Sequence, residues 1–324
     1  MKVRQVLPPD AIPSVDDPSF VDEYEGDPDD EVIVLEIGDE TRAYPVRYLN
    51  FHEIVNDEFP SPDSEDDLPV VVTWCPLCGS AVAYEARADG RRLTFGVSGK
   101  LADDDLVMYD RETESEWKQS LGETIAGPLE GESLTALPAA MTTYEQFAAD
   151  YDGRILAEPG GESETSGPGP EPEPIDYDDD PYREYFERDG FGLDAHHGKK
   201  SREWNHDDLD PKEVVLGIER DDEVLGFPYD RVEAAGGVAR EWVGDADVAV
   251  FVTPSGIHAF DAVDSDDQFE PTDEPGRFRA DGTVWNGATG EGDDGRRLER
   301  LPARRLFAFT WRDDHGPDTF WTPE

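Results

Sequence analysis

Four blocks of this sequence occur twice in the same order, and they restrict the chain to a fold that two like parts can build. Val34-Leu35-Glu36-Ile37, a charged turn and Ala43-Tyr44-Pro45 return as Val215-Leu216-Gly217-Ile218, a slightly longer turn and Gly226-Phe227-Pro228. Val70-Val71-Val72-Thr73-Trp74-Cys75-Pro76 matches Val248-Ala249-Val250-Phe251-Val252-Thr253-Pro254. Trp117 followed by Gly122-Glu123 returns as Trp285 followed by Gly290-Glu291, and Leu137-Pro138 as Leu301-Pro302. Four matches in one order read as an internal duplication. Between the halves, residues 158–180 are Gly, Pro, Glu, Ser and Asp with almost nothing apolar, the composition of a solvated linker or long loop. The expected organisation is a first module over 1–157, this acidic Pro/Gly-rich segment over 158–180, and a second, diverged module over 181–324.

The apolar runs are short, bounded by Gly, Pro and Asp, and rich in Val, Ile and aromatics, so they read as strands. Asp89-Gly90, between Val82-Ala83-Tyr84 and Leu93-Thr94-Phe95, is a hairpin-turn signal. Helices are few and short. One is expected over 47–55 after a Pro, one over 143–151 with Thr143 as N-cap, one over 182–188 ending before Gly190, and one over 230–235 ending at Gly236. The expected fold class is α+β, predominantly β: two related β-rich modules packed about a pseudo-two-fold axis.

Charge sets the environment. Lys and Arg number 28 against 78 Asp and Glu, a net charge of −50. Self-repulsion of that size opposes a compact state in dilute buffer. Salt relieves it, because the Debye length falls from about 10 Å at 0.1 M to about 3 Å at 1 M. Acidic chains poor in aromatics are disordered, but here seven Trp, fifteen Phe and eleven Tyr sit inside patterned segments. A folded protein adapted to molar salt is the expectation. Neither nucleic acid nor an anionic membrane is expected as a partner, since phosphate binding needs a basic patch. The start shows no apolar leader, and no run approaches the roughly 18 apolar residues of a membrane helix. A soluble, cytoplasmic protein is therefore expected. Two cysteines make no disulfide framework, so the core must hold the fold.

Both cysteines lie in Cys75-Pro76-Leu77-Cys78-Gly79, between two expected strands. A thioredoxin-type pair opens a helix instead. Cys-Pro-X-Cys-Gly in a tight turn is how zinc knuckles present two thiolates, although a closed zinc site uses four ligands. His52, in Asn50-Phe51-His52-Glu53-Ile54, is the nearest further candidate. In the second half its position falls on Ala235, Cys75 falls on Thr253, and Cys78 has no counterpart. That joint loss argues for one site made of His52, Cys75 and Cys78, holding zinc or copper, with Met108 as a thioether donor for Cu(I). A reversible disulfide and an inert structural turn compete with it, as does a non-enzymatic binding or scaffold protein with structural cysteines. His196-His197 and His206 read as a polar loop, because consecutive residues on an extended chain point apart. Asp103-Asp104-Asp105 reads as a solvated acidic run without the Gly and closing Glu of a calcium loop. A hydrolase using Asp110 and Glu112 has no motif behind it. There is no Gly-X-Ser-X-Gly, no phosphate-binding loop and no His-Glu-X-X-His; residues 95–100 read as strand and turn.

Several of these stretches together resemble the domain of unknown function 3179 family. They are Leu49-Asn50-Phe51-His52-Glu53-Ile54-Val55-Asn56-Asp57, Thr73-Trp74-Cys75-Pro76-Leu77-Cys78-Gly79-Ser80-Ala81-Val82-Ala83 and Thr94-Phe95-Gly96-Val97-Ser98-Gly99, followed by Val107-Met108-Tyr109-Asp110-Arg111 and Gly122-Glu123-Thr124-Ile125-Ala126-Gly127-Pro128-Leu129. The resemblance runs from about Pro8 to the end. It implies that His52 and the Cys pair belong to the family's pattern, and it implies no activity. Many members look exported or lipid-anchored, and this sequence departs from them in showing no leader.

Overall fold

The computed structural model describes residues 1–61, 66–164, 166, 172–206, 208–262 and 268–323. It is a β-rich α+β structure in which the six helices among the described residues span at most eight residues each.

Each half contains the same run of elements. In the first, strands Glu31–Ile37 and Glu40–Pro45 lead into helix Val46–His52 and then strands Ile54–Phe59, Leu68–Cys75 and Ser80–Glu85. In the second, Val214–Arg220 and Glu223–Pro228 lead into helix Tyr229–Ala234 and strands Val238–Val243, Ala246–Thr253 and Gly256–Asp261. Pro45 and Pro228 occupy the N-cap positions of the two helices, with φ of −63° and −65°. Proline's fixed φ suits a helix start, and it ends the preceding strand's ladder. The turns of the two opening hairpins are equal in length: Val32 faces Pro45 and Val215 faces Pro228. The longer second turn expected from sequence is therefore corrected; the first blocks align two residues earlier, Val32 with Val215.

The next pair of strands differs where it matters. Thr253 pairs with Gly256 across a two-residue turn, whereas Cys75 pairs with Ser80 across a four-residue one. Those two extra residues hold Cys78, which is why it lacks a partner in the second half.

The halves join through the central six-stranded sheet. Its order is Glu223–Pro228, Val214–Arg220, Arg304–Phe307, Ser80–Glu85, Leu68–Cys75, Ile54–Phe59. Arg304–Phe307, near the chain's end, thus pairs with the first half, Arg305 opposite Ala81. Leu68–Cys75 and Ser80–Glu85 alternate between two apolar clusters, one per face. Val71, Cys75, Val82 and Tyr84 belong to one, and Val70, Val72, Trp74 and Ala83 to the other. The first cluster is closed by a five-stranded sheet containing Phe95–Ala102, Asp105–Asp110 and Glu116–Lys118. Residues 95–100 form a strand with a register shift between Val97 and Lys100. Gly99 there sits at φ +71°, where a Cβ would stand 2.2 Å from the Leu7 carbonyl oxygen, so only glycine fits.

Asp89 and Gly90 turn with positive φ as the sequence signals, but the arms they join are the two-residue strands Arg87–Ala88 and Arg91–Arg92. In the segment 158–180, residues 165 and 167–171 lie outside the described residues. Of the others, Ser163 is buried with its hydroxyl on the Ala11 carbonyl and Tyr177 is buried, while most are exposed. Two helices were not expected, Gly192–His196 and Ala308–His315.

Candidate functional site

The cysteine turn is built by its backbone. The Cys78 N–H donates to the Cys75 carbonyl at 3.1 Å, and Gly79 follows at φ +55°. A Cβ on Gly79 would stand 2.7 Å from the Phe307 ring, so glycine is required both for the turn and for the close approach of the last strand. Phe307 donates its N–H to the Cys78 carbonyl at 2.7 Å, and the Tyr185 hydroxyl donates to the Leu77 carbonyl at 2.6 Å. Residues far along the chain therefore clamp the turn from both sides.

Both cysteines are free and buried. Their sulfurs and a carboxylate oxygen of Asp105 all lie within 4.8 Å of one another. Asp105 opens strand Asp105–Asp110 and is 1 % exposed. The reading of Asp103-Asp104-Asp105 as a solvated run is corrected at this residue. Asp103 and Asp104 form a turn with positive φ, and that turn drives the next side chain inward. Asp105 accepts the Ser120 N–H on Oδ2 at 3.0 Å, while Oδ1 has no partner. The Oγ atoms of Thr310 and Ser80 are likewise buried without a hydrogen bond of ordinary geometry. An orphaned buried oxygen costs about 1–3 kcal/mol, so such a concentration marks a place built for something else to bind.

Electrostatics deepen the point. Burial pushes the Cys75 thiol up, and the neighbouring acids Asp105 and Glu53 add to this while Cys78 opposes it. Burial pushes Cys78 well up, with Cys75 and Asp105 adding and the Thr310 hydroxyl opposing. The Asp105 carboxyl is raised by burial, Lys118 pulling the other way and Asp314 adding to the rise. Lys118 is ion-paired with Asp314, both side chains almost wholly inaccessible. Burial alone would lower the lysine; Asp105 and Asp314 outweigh it and keep the ammonium charged. Asp314 also accepts from the Ser120 hydroxyl at 2.7 Å. Strand Glu116–Lys118 and helix Ala308–His315, far apart in sequence, thus meet behind the cluster.

Of the residues singled out in the sequence, the structure brings together Cys75 and Cys78. It places His52 on other partners: Nδ1 stands 2.7 Å from the Pro13 carbonyl and Nε2 2.5 Å from the Tyr177 hydroxyl. The carbonyl can only accept, so Nδ1 carries the proton and Nε2 accepts from Tyr177. Burial lowers the imidazole's basicity, which keeps it neutral, and the Pro13 bond opposes. Met108 is buried opposite Val97 and Trp117. It belongs to the same buried apolar cluster as Cys75 and Cys78. Asp110 accepts from the Thr113 N–H and the Trp117 indole, and Glu112 from the Thr94 N–H, so both acids serve turns. His206 packs on Trp204 and Phe320, apart from His196, which stacks on Tyr182 at 5.1 Å.

Sequence reasoning missed Asp105, Lys118 and Asp314. It also missed Glu53, at φ +58° after helix Val46–His52, where the second half carries Gly236-Gly237. Burial pushes the Glu53 carboxyl up to about 8, and Asp105 adds to the rise.

The sequence model of the family described as "Protein of unknown function (DUF3179)" matches residues 9–319, nearly the whole chain. The chain belongs to the DUF3179 family. No curated protein and no solved structure matches this DUF3179 protein. Among the described residues no helix is long and apolar enough to cross a membrane.

Proposed function

We propose that this DUF3179 protein is a metal-binding protein whose site is Cys75, Cys78 and Asp105, with zinc the best-suited ion. The supporting observation is the convergence of two sulfurs and a carboxylate oxygen of Asp105 within 4.8 Å, all buried, on a carboxylate one of whose oxygens has no partner. Tetrahedral zinc would draw such donors to roughly 3.5–4 Å apart. Two thiolates and a carboxylate suit a borderline ion, and three protein ligands leave one position open. Copper(I) is less well served, because a carboxylate is a hard donor and Cu(I) prefers thiolate and thioether. His52 belongs to the support of the turn region rather than to the ligand set, both its nitrogens being engaged.

A dithiol working by disulfide exchange needs thiolate, and burial here holds both thiols protonated. A divalent cation supplies the charge that releases those protons. The same reading takes the halves as copies of one module, of which the second lost the site along with two turn residues. Native mass spectrometry of protein purified in high salt tests the proposal. One zinc equivalent that a chelator removes is expected. A disulfide, or two free thiols that take up no zinc on incubation, leaves the cysteines structural and the binding or scaffold reading in place.

A further inference from the structure

A cavity of about 250 Å³ lies beside the cysteine turn, and neither cysteine lines it. Its walls are mainly apolar: Leu7, Ile12, Leu77, Val97, Leu106 and Leu193. Glu53 lines it too, although this residue is only 8 % exposed. No donor among the described residues reaches the Glu53 carboxyl. Its backbone, by contrast, is fixed: the N–H donates to the Leu49 carbonyl and the carbonyl accepts from the Trp74 N–H, each at 2.8 Å. The residue is thus held in a left-handed conformation that glycine fills in the other half, so that a lone acid projects into an apolar chamber. Strain of this kind persists where the surroundings over-determine it, and it concentrates at ligand sites.

We infer that this cavity binds an ammonium group carried on a small apolar body, with Glu53 as its partner. The other polar wall groups leave that role to Glu53. Lys100, the lysine in the lining, is ion-paired with Glu116. Asn50 is engaged by the Trp74 indole at 2.8 Å. Tyr182 and His196 stack on each other in the cavity wall, a flat aromatic face of the sort that accepts a cation. An anion would meet an unpaired carboxyl and a chain of net charge −50, whereas a cation is drawn by both. An N–H donor is the chemistry that completes a partnerless carboxyl, and a charged one favours its ionised form and compensates the charge that then appears.

Benzylamine, benzyl alcohol and benzoate are the probes, titrated calorimetrically into the full-length protein at high salt. A buried pair is screened far less than a surface one, so the salt does not mask it. Saturable benzylamine binding at about millimolar affinity is expected. Benzyl alcohol should bind at least about tenfold more weakly and benzoate not at all. Glu53→Gln should remove the amine's advantage, and Leu101→Trp, a change at a further lining residue that fills the chamber, should abolish binding; circular dichroism verifies that each is folded. The Cys75→Ser/Cys78→Ser protein should bind benzylamine as wild type does, which separates this site from the metal centre. Equal affinity for amine and alcohol, undiminished binding by Glu53→Gln, or loss of binding in the cysteine variant would each overturn the inference.

Discussion

Replacing Lys118 by Met should destabilise this protein by about 3–5 kcal/mol, the usual cost of removing one partner from a buried ion pair. Lys118 and Asp314 are 4 % and 1 % exposed, so water cannot take over the lost interaction. The ammonium also offsets Asp105, so its removal strands two acids rather than one. Asp314→Asn should cost less, about 1–3 kcal/mol, because Lys118 keeps Asp105 and the amide can still accept from Ser120. In the double variant Lys118→Met/Asp314→Asn, much of the single-lysine loss should return, giving a coupling of about 1–3 kcal/mol. Denaturant unfolding of the four proteins at one high salt concentration and pH 7 reads these differences directly, provided the slopes agree. A Lys118→Met protein within about 1 kcal/mol of wild type, with additive single effects, would refute the claim that this pair ties the C-terminal helix to the site.

Three further outcomes follow from charge. Stability should climb between about 0.1 M and 1 M KCl as the net charge of −50 is screened; an unfolding midpoint that does not move contradicts a salt-adapted surface. Glu53 titrates near 8 in the folded protein against 4.5 in its ordinary state. Folded protein therefore binds the extra proton between those values, and stability falls as pH rises through that window and levels off above it. Glu53→Gln should abolish that slope and stabilise metal-free protein by roughly 3 kcal/mol at pH 7, checked by urea midpoints at pH 5 and 8. His258 is buried beside Arg300, and burial holds its basicity well below the usual value of 6.5. The unfolded chain takes up the proton first, so stability is lost as pH falls below about 6.5, and His258→Gln should recover about 1 kcal/mol of that loss near pH 5.5.

Much of the scaffold was readable from local signals. Pro45 and Pro228 mark strand ends and helix starts because proline's constraints act within one or two residues. The Val-rich runs mark central strands because both faces of the joining sheet are covered. The cysteine turn was readable for the same reason, Gly79 being the only residue type that its conformation and the Phe307 ring allow. Helix Ala308–His315 was not, since it follows a strand directly and no side chain caps it. Asp105 was hidden among acids. Nothing local separates it from Asp103 and Asp104 except the apolar run Leu106-Val107-Met108 that it opens. Lys118 and Asp314 meet across 196 positions, and only the folded chain brings them together. The pairing of His52 with the cysteines rested on their joint absence from the second half. That absence reports only a difference between the halves; the hydrogen bonds to Pro13 and Tyr177 report what the imidazole does.

Competition titration of zinc against a chromophoric chelator, comparing wild type with Asp105→Asn, tests the metal assignment most directly. The amide keeps the shape of the side chain and its bond from Ser120, so the variant should stay folded with unchanged or higher stability without metal. Its zinc affinity should fall by at least about 100-fold, and that of Cys75→Ser/Cys78→Ser to background. Equal zinc affinity in wild type and Asp105→Asn, or no zinc uptake by either, would contradict the account.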